Sequence, residues 1–320
     1  MIKNKNILIT GAAGFIGSNL LEKLLNEDNF ILIIDNFNDY YSGKEEQLYK
    51  ILENYSFKKD YDIIKGDLIN KTIFQVINYE IDIIFHLAAQ ASVLYSIDNA
   101  IEISNNNINS TVNVYEYALN QDVEKIIYAS SSSVYGNPLY TPVDEDHPKN
   151  PISPYAVSKL CGEIYANYYY RQYHLPVIIL RFYTVYGPRG RPDMAIRKFF
   201  DLINKNKEII IYGDGEQLRD FIYVSDIVNG LILAAENKES NGEIFNLGNS
   251  NPISINDLVD KIYNIFNKPK KVKYVDKQQG DVDITFSKIE KAKEILNYYP
   301  KISIDKGLEY TYGWQVNHSI

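Results

Sequence analysis

Residues 10–17 read TGAAGFIG, and they lie between a short apolar run and a segment of helical length. Gly11, Gly14 and Gly17 allow a tight turn in which the backbone approaches a bound pyrophosphate. The free N–H groups and the positive dipole end of the following helix then face the negative charge. Because the glycines follow a strand pattern and open a helix, the spacing favours a dinucleotide site over a turn needed only for packing.

An acidic residue follows at the place that such a site requires. Asp35 ends the second apolar run of the chain. A carboxylate there accepts both ribose hydroxyls of NAD and repels the 2′-phosphate of NADP. The sequence therefore predicts NAD as the cofactor.

Short runs rich in Ile, Leu and Val recur outward from this segment, with segments of helical length between them. The strand candidates are residues 6–10, 30–35, 61–65, 82–86, 125–130 and 177–182, and the helix candidates include residues 15–26 and 97–119. The runs are nearly continuous rather than alternating, which is typical of strands buried on both faces. Alternation of strands and helices in this order predicts a doubly wound sheet.

Beyond residue 183 the pattern changes, because Gly and Pro interrupt residues 186–192 and short strands mix with helices. We predict a NAD-binding domain over residues 1–183, to which the chain returns near residues 222–248. Residues 184–320 then form a substrate domain. The expected fold class is α/β, a Rossmann-type doubly wound parallel sheet with a smaller mixed α/β C-terminal domain.

The composition excludes several classes of protein. The 320 residues carry 33 Lys and Arg against 41 Asp and Glu, a net charge of −8 that disfavours nucleic acid as a partner. One cysteine, Cys161, excludes an intrachain disulfide, and four scattered histidines disfavour a metal site. No run of 18 apolar residues is present, so we expect no membrane span, no signal peptide and a reduced, cytoplasmic location.

Tyr155 and Lys159 stand four residues apart, so a helix places a phenol and an amine on one face. An adjacent ammonium, with the charge of oxidised nicotinamide, lowers the pKa of the phenol from its usual value near 10 and makes it a usable base. Serines 130–133 follow the fifth strand, at the sheet edge where ligands bind. Three other pairs have the same spacing and are interpreted as surface pairs: Tyr40/Lys44, Tyr55/Lys59 and Tyr61/Lys65.

Taken together, these residues resemble the extended short-chain dehydrogenase/reductase family, and within it the nucleotide-sugar epimerases. The segment HLAAQ at residues 86–90 resembles the fourth-strand segment of that family, and Ser131 precedes Val134-Tyr135-Gly136 where the family keeps a catalytic Ser or Thr. Tyr155 and Lys159 match the catalytic Tyr-x-x-x-Lys. The resemblance therefore implies that Tyr155, Lys159 and Ser131 are catalytic.

The resemblance also implies the binding residues. The implied cofactor-binding residues are Gly11, Gly14, Phe15, Ile16, Gly17, Asp35, Asn36, Asp67, Leu68, Leu87, Ala88, Ala89, Gln90, Asn107, Tyr155 and Lys159. The implied substrate-binding residues are Ser131, Ser132, Thr184, Arg191, Arg219 and Asp281. Arg219 matches a segment whose arginine binds the nucleotide diphosphate, and Asp281 lies in a segment similar to a loop near the nucleotide ribose. No metal is implied.

Two stretches are similar to UDP-glucuronate 4-epimerases: DNFNDYY at residues 35–41 and RFYTVYGPRGRPDMA at residues 181–195. In that subfamily the positions of Thr184 and Arg191 lie near the sugar carboxylate, for which a guanidinium offers a planar fork of donors. A structural salt bridge within the second domain is the alternative role for Arg191. The chain departs from the pattern at Leu94, where the subfamily commonly has Arg.

The activity implied is inversion of C4 in a UDP-sugar through a transient 4-keto sugar, most directly UDP-glucuronate to UDP-galacturonate. A UDP-glucose/UDP-galactose or N-acetylhexosamine 4-epimerase is the alternative, and a non-catalytic NAD-binding protein is a remote one. Related decarboxylases and dehydratases carry Glu before Val-Tyr-Gly, whereas this chain has Ser133. Relatives pair through the helices beside the fifth strand, so we expect a homodimer.

Overall fold

The computed structural model describes residues 2–277 and 282–318, and within them seven strands form one parallel sheet. The strands of the chain are β1 (Asn6–Thr10), β2 (Phe30–Asp35), β3 (Tyr61–Lys65), β4 (Ile83–His86), β5 (Lys125–Ser131), β6 (Val177–Phe182), β7 (Thr184–Tyr186), β8 (Ile209–Tyr212), β9 (Leu218–Arg219), β10 (Phe221–Tyr223), β11 (Ile244–Leu247), β12 (Ile253–Ser254) and β13 (Val272–Val275). The order in the large sheet is β11-β6-β5-β4-β1-β2-β3.

Helices connect and cover these strands. They are α1 (Phe15–Leu25), α2 (Lys44–Leu52), α3 (Val93–Asp98), α4 (Ala100–Ser104), α5 (Ser110–Gln121), α6 (Pro154–Tyr173), α7 (Ala195–Asn204), α8 (Val224–Glu236), α9 (Ile255–Phe266), α10 (Glu290–Leu296) and α11 (Ile304–Asn317). Short 3₁₀ turns form at Lys71–Val76, Ser132–Tyr135 and Lys238–Ser240, and a π-helical turn forms at Asn105–Asn109.

Both faces of the large sheet are buried, which explains the continuous apolar runs. In β1, Ile7 and Ile9 enter one core with residues of α1 and α8, whereas Leu8 enters a second core with residues of α5 and α6. Successive side chains of a strand point to opposite faces, so a strand covered on both sides needs apolar residues at every position. The predicted Rossmann-type fold class is confirmed.

The predicted helix over residues 97–119 is wrong in detail. The chain instead forms α3, then α4, the π-helical turn and α5 in succession. Within the turn, the side chain of Asn107 accepts the N–H of Gln90 at 2.8 Å and donates to Ser158 Oγ at 2.9 Å. These contacts connect the turn to two segments that are distant in the sequence. The local pattern of apolar residues therefore does not predict them.

The C-terminal part of the chain forms a third core around α7, α9 and α11. Its strands pair in twos: β7 with β10, β9 with β12, and β8 with β13. Strand β11 pairs instead with β6 and forms an edge of the large sheet. It lies within residues 222–248, the segment predicted to rejoin the first domain. Strand β7 follows β6 after one residue, so the end of the large sheet leads directly into this part of the chain.

No helix in the described ranges is long and apolar enough to cross a membrane.

Candidate active site

A cavity of about 420 Å³ lies along the carboxyl ends of the central strands of the large sheet. Its wall includes the glycine loop after β1, Asp35 at the end of β2, residues 87–91 after β4, residues 129–133 around the end of β5, and Thr184 at the start of β7. Parallel strands bring their carboxyl ends to one edge, where ligands of doubly wound sheets bind. The cavity therefore has the position of a cofactor and substrate cleft.

The glycine loop leaves no room for side chains. Gly11 has φ +75°, and a Cβ atom there would stand 2.8 Å from the backbone of Ala88. A Cβ atom on Gly17 would stand 2.2 Å from the carbonyl oxygen of Gly11. Helix α1 begins after Gly14, so its free N–H groups face the cavity edge. The loop has the close backbone approach that a pyrophosphate requires.

Asp35 lines the cavity and also braces the loop. One carboxylate oxygen accepts the N–H of Ala13 at 2.9 Å, and the other accepts the N–H of Phe37 at 2.8 Å. Burial raises the pKa of this carboxyl, and the two backbone hydrogen bonds oppose the rise. Each oxygen keeps a second lone pair for a ribose hydroxyl, so the residue fits NAD as the sequence predicted.

The loop after β2 contributes side chains that sequence reasoning had put on the surface. Lys44 is buried, its amine donates to Asn38 Oδ1 at 2.6 Å, and it lies 4.8 Å from the ring centre of Tyr41. Tyr40, Tyr41, Lys44 and Asn38 all line the cavity. The interpretation of Tyr40/Lys44 as a surface pair is therefore wrong. The first turn of this loop is held by Asp35, which accepts the N–H of Phe37.

Helix α6 carries the predicted base and its amine. Ser153 caps the helix by accepting the N–H of Ala156 at 3.2 Å, and Pro154 occupies the first turn. One turn further, the amine of Lys159 is buried and donates to the carbonyl of Ala129 at 2.8 Å. Burial lowers the pKa of Lys159 to about 7, and the charge of Glu163 opposes this change.

Tyr155 lines the cavity next to the end of β5. Burial raises the pKa of its phenol, while the positive charge of Arg191 and hydrogen bonding with Ser131 lower it. Ser131 also accepts the N–H of Ser133 at 3.1 Å and donates to Ser133 Oγ at 3.0 Å, which starts the 3₁₀ turn. The three predicted catalytic residues, Tyr155, Lys159 and Ser131, therefore lie in one wall.

Arg191 lies in the same cavity, and its guanidinium already has a carboxylate partner. Its Nε donates to Asp193 Oδ1 at 2.9 Å, and its Nη2 donates to Asp193 Oδ2 at 2.8 Å. The phenol of Tyr40 donates to the same carboxylate at 3.2 Å. The pKa of Asp193 is lowered by these partners. Arg191 thus lines the cavity and also forms an ion pair, which is the alternative role considered for it.

Most of the predicted binding residues line the cavity. They are Gly11, Gly14, Phe15, Ile16, Gly17, Asp35, Asn36, Asp67, Leu68, Leu87, Ala88, Ala89, Gln90, Ser131, Ser132, Tyr155, Lys159, Thr184 and Arg191. Asn107 is not in the wall, because its side chain bonds Gln90 and Ser158 behind it. Arg219 lies in β9 and is not among the lining residues, and its Nη1 donates to the carbonyl of Leu218. Asp281 lies outside the described residues.

Several lining residues were missed by sequence reasoning. Besides the loop after β2, they include Val93, Tyr183, Val185 and Met194. Leu94, which follows Val93, is 46% exposed and is not among the lining residues. The stretches 35–41 and 181–195 had been singled out for their similarity to one subfamily, so that similarity was the signal that pointed to most of them.

A metal site finds no support in the described part of the chain. No group of three potential metal-ligating side chains occurs within residues 2–277 and 282–318. His86 is buried between the hydroxyls of Thr10 and Thr111, at 2.8 and 3.0 Å. Burial and the charge of Lys159 lower the pKa of His86 to about 3, so its ring is neutral at pH 7.

The fold and this cleft define a Rossmann-type enzyme of the extended short-chain dehydrogenase/reductase class. Residues 7–248 match the model of the NAD dependent epimerase/dehydratase family. The chain belongs to that family, and NAD is its cofactor.

Individual relatives cover nearly the whole chain. A UDP-glucuronate 4-epimerase of Thermodesulfobacterium geofontis is 40% identical over 96% of this chain and 95% of its own length. The structure of UDP-N-acetylglucosamine 4-epimerase from Methanobrevibacter ruminantium, in complex with UDP-N-acetylmuramic acid, matches with a TM-score of 0.91 at 33% identity over 99% of both chains. That of UDP-glucuronic acid 4-epimerase from Bacillus cereus, in complex with UDP-glucuronic acid and NAD, matches with a TM-score of 0.89 at 35% identity over 98% of this chain and 99% of that one.

Proposed function

We propose that this protein is a UDP-sugar 4-epimerase that converts UDP-glucuronate to UDP-galacturonate. The observation that carries the proposal is that Tyr155, Ser131 and Arg191 share one cavity with the glycine loop. A base, a hydroxyl and a cation are the groups that C4 inversion of an acidic sugar requires beside the cofactor. Relatives that act on UDP-glucuronate and on neutral UDP-sugars both support the class of reaction.

Tyr155 is the base in this proposal, and it takes the proton of the sugar C4 hydroxyl. The Ser131 hydroxyl lies in the hydrogen-bond path, and the Lys159 ammonium stabilises the phenolate. Bound NAD supplies the hydride chemistry at C4. The charge of Arg191 and the hydrogen bonding of Ser131 already lower the pKa of Tyr155 against the effect of burial. The chain thus holds the groups that favour the ionised base.

Arg191 is the proposed partner of the sugar carboxylate, with the hydroxyl of Thr184 beside it in the wall. Asp193 engages Nε and Nη2, and within the described residues Nη1 makes no hydrogen bond. A substrate carboxylate therefore meets the Nη1 edge of a guanidinium that Asp193 holds in a fixed orientation. A hydrogen bond between charged groups contributes about 1.5–3 kcal/mol.

A neutral UDP-hexose is the second candidate substrate, because Asp193 already neutralises Arg191. A C4 epimerase for UDP-glucose or an N-acetylhexosamine needs the same base and cofactor but no free cation at the sugar C5 substituent. The departure at Leu94 gives this candidate little support, since Leu94 does not line the cavity. A direct contact between Arg191 and the sugar therefore distinguishes UDP-glucuronate from a neutral UDP-hexose as the substrate.

Net decarboxylation and dehydration are disfavoured by the residue before Val134. Ser133 lines the cavity there, and its hydroxyl accepts a hydrogen bond from Ser131. A hydroxyl is a poor acid for the elimination of water, whereas the carboxyl of related dehydratases is a suitable one.

The test is the turnover of a panel of UDP-sugars by the unchanged protein and by variants of Arg191. We expect Arg191→Ala to weaken the use of UDP-glucuronate by about 1.5–3 kcal/mol and to leave UDP-glucose nearly unchanged. Arg191→Lys restores part of the loss, since it keeps the charge without the planar fork. Equal loss for both substrates would refute the glucuronate assignment and leave the neutral-sugar epimerase.

Arg189→Ala is the matched control for this experiment. Arg189 lies in the same loop, but its guanidinium contacts Asn19 and Glu22 of α1 instead of the cavity. Its loss therefore changes both substrates to the same extent and leaves their ratio as it was.

A further inference from the structure

A buried ion pair lies directly behind the catalytic wall. Glu163 follows Lys159 by four residues and Tyr155 by eight, so all three lie on one face of α6. The carboxylate accepts from Arg181 Nε at 2.9 Å and from Nη2 at 2.6 Å. The exposed fractions of the two side chains are 3% for Glu163 and 0% for Arg181. The pair is therefore a bidentate ion pair without access to water.

The last residues of β5 contact this face of α6 one after another. The carbonyl of Ala129 accepts from Lys159 at 2.8 Å, and Ser130 Oγ donates to Glu163 Oε1 at 2.5 Å. Ser131, the next residue, lines the cavity together with Tyr155. The carboxylate of Glu163 thus connects β5, which carries Ser131, to α6, which carries Tyr155 and Lys159.

Arg181 is itself held on its far side. Its Nη1 donates to the phenol of Tyr135 at 2.7 Å and to the carbonyl of Glu145 at 3.0 Å. Tyr135 in turn donates to Asn246 Oδ1 at 2.7 Å, which ties the pair to β11. A buried ion pair is tolerated when such additional hydrogen bonds satisfy its remaining donors. The carboxylate of Glu163 therefore has a fixed position.

Glu163 is also the negative charge that faces Lys159. The titratable groups around this amine are Glu163 from α6, Tyr128 from β5 and His86 from β4, and Tyr155 of α6 lines the same cavity. Burial raises the pKa of Tyr128 and lowers that of His86 to about 3, so neither side chain carries a charge at pH 7. The Glu163 carboxylate is the group that opposes the effect of burial on Lys159.

We propose that Glu163 is a positioning residue of this site. It fastens the end of β5, which bears Ser131, to the helix that bears Tyr155 and Lys159, and it places a negative charge behind the buried Lys159 amine. Its catalytic consequence rests on the proposed function, whereas its effect on Lys159 does not.

The direct test follows Lys159 itself by NMR, in the protein as purified and labelled with ¹³C at the lysine ε carbon. Loss of one signal in Lys159→Met identifies the residue. We expect Glu163→Gln to move the titration midpoint of Lys159 to lower pH by about one unit, as for loss of an opposite charge at this range. Glu163→Asp keeps the charge and holds the midpoint closer to that of the unchanged protein.

Asp226→Asn is the matched control, because Asp226 is also a buried carboxylate. It accepts the backbone N–H groups of Lys301 and Ile302 at 3.1 and 3.0 Å, away from α6. Its loss should leave the midpoint of Lys159 unchanged. Glu163→Gln leaves Arg181 without its carboxylate, and the protein then does not necessarily fold. In that case the double variant Glu163→Gln/Arg181→Met, which removes both charges, takes the place of Glu163→Gln in the comparison.

Kinetics supply the second readout. In Glu163→Gln the alkaline limb of the kcat profile should move in the same direction as the Lys159 midpoint, with KM for the UDP-sugar little changed. An unmoved Lys159 midpoint, or an equal shift in Asp226→Asn, overturns the inference. A lack of turnover by the unchanged protein refutes the proposed function instead, and the Lys159 titration then still decides the role of Glu163.

Discussion

Burial opposes the charged forms of the groups that this site uses. The amine of Lys159 and the phenol of Tyr155 lie in a wall where burial lowers the pKa of the first and raises that of the second. A catalytic base needs a pKa near the working pH, so charged neighbours must correct the effect of burial. Arg191 on one side and Glu163 on the other provide those charges.

Tyr155→Phe removes the ionisable oxygen and keeps the ring. We expect the folded protein to retain its NAD and kcat to fall by at least about 10²-fold, the usual scale for a general base. The measurement is product formation from a UDP-sugar, with NAD released by denaturation as the check on cofactor. Tyr165→Phe, an exposed position on the same helix, is the control and should keep full activity. Near-normal turnover of Tyr155→Phe would assign the base to another residue.

Asp35 should set the choice of cofactor. Asp35→Asn removes the charge that repels a 2′-phosphate, and we expect the preference for NAD over NADP to fall about tenfold or more, since a charged hydrogen bond is worth at least 1.4 kcal/mol. Binding is measured with each nucleotide added to stripped protein. Asp39→Asn, in the exposed part of the same loop, should leave the preference intact. An unchanged ratio in Asp35→Asn would contradict this role.

At the scale of elements, the glycine loop and α1 act as one unit. Gly17 in α1 packs against the carbonyl of Gly11, so the helix begins close to the loop that it follows. The loop after β2 joins this unit through the hydrogen bond between Asp35 and Ala13. The cofactor side of the cleft is therefore made from segments that are close in the sequence.

Gly17→Ala should damage this unit. The added Cβ atom would stand 2.2 Å from the Gly11 oxygen, so backbone must move, and we expect a loss of about 1–3 kcal/mol in unfolding free energy together with loss of NAD. Gly313→Ala in α11 is the control, because no atom beyond its chain neighbours and the backbone of its own helix lies within 4 Å of its Cβ position. It should gain up to about 1 kcal/mol from helix propensity. Urea unfolding and NAD content measure both, and equal stability of the two variants would refute the packing role.

The substrate side of the cleft was harder to predict than the cofactor side. Residues 10–17, Asp35 and the pair Tyr155/Lys159 are local patterns, and the sequence identifies them before any fold is known. The contact of Tyr40 with Asp193 joins residues 153 positions apart, and only the packing of the two segments creates it. A salt bridge of Arg191 was considered from the sequence, but its partner Asp193 was not identified, since spacing alone does not show which carboxylate a guanidinium contacts.

For the whole molecule, the strand positions were predictable because burial on both faces of the sheet leaves continuous apolar runs. Four of the six predicted strands match the observed bounds, and the other two differ by one residue at an end. The C-terminal part was predicted only as mixed, since its strands pair in twos across distant segments. The sequence alone does not show which apolar residues of α6 are exposed, because exposure depends on how the helix packs against the rest of the fold.

These exposed residues predict a homodimer. Val157, Ile164, Tyr165 and Tyr168 form an exposed stripe along α6, and Ile101 in α4 is 81% exposed. Light scattering at micromolar concentration should give twice the chain mass of 36.9 kDa. Ile164→Glu should halve that mass, whereas Leu139→Glu, at an exposed loop position, should not. A mass near 36.9 kDa for the unchanged protein would rule the dimer out.

The most direct measurement follows the hydrogen at C4 of the sugar. Purified protein is incubated with UDP-glucuronate carrying deuterium at C4, without added cofactor, and the products are separated and examined by NMR. C4 epimerisation with retained NAD predicts UDP-galacturonate with the deuterium still at C4, because the hydrogen that leaves returns to the opposite face of the same carbon. Recovery of unchanged UDP-glucuronate, or of UDP-galacturonate with solvent hydrogen at C4, would contradict it.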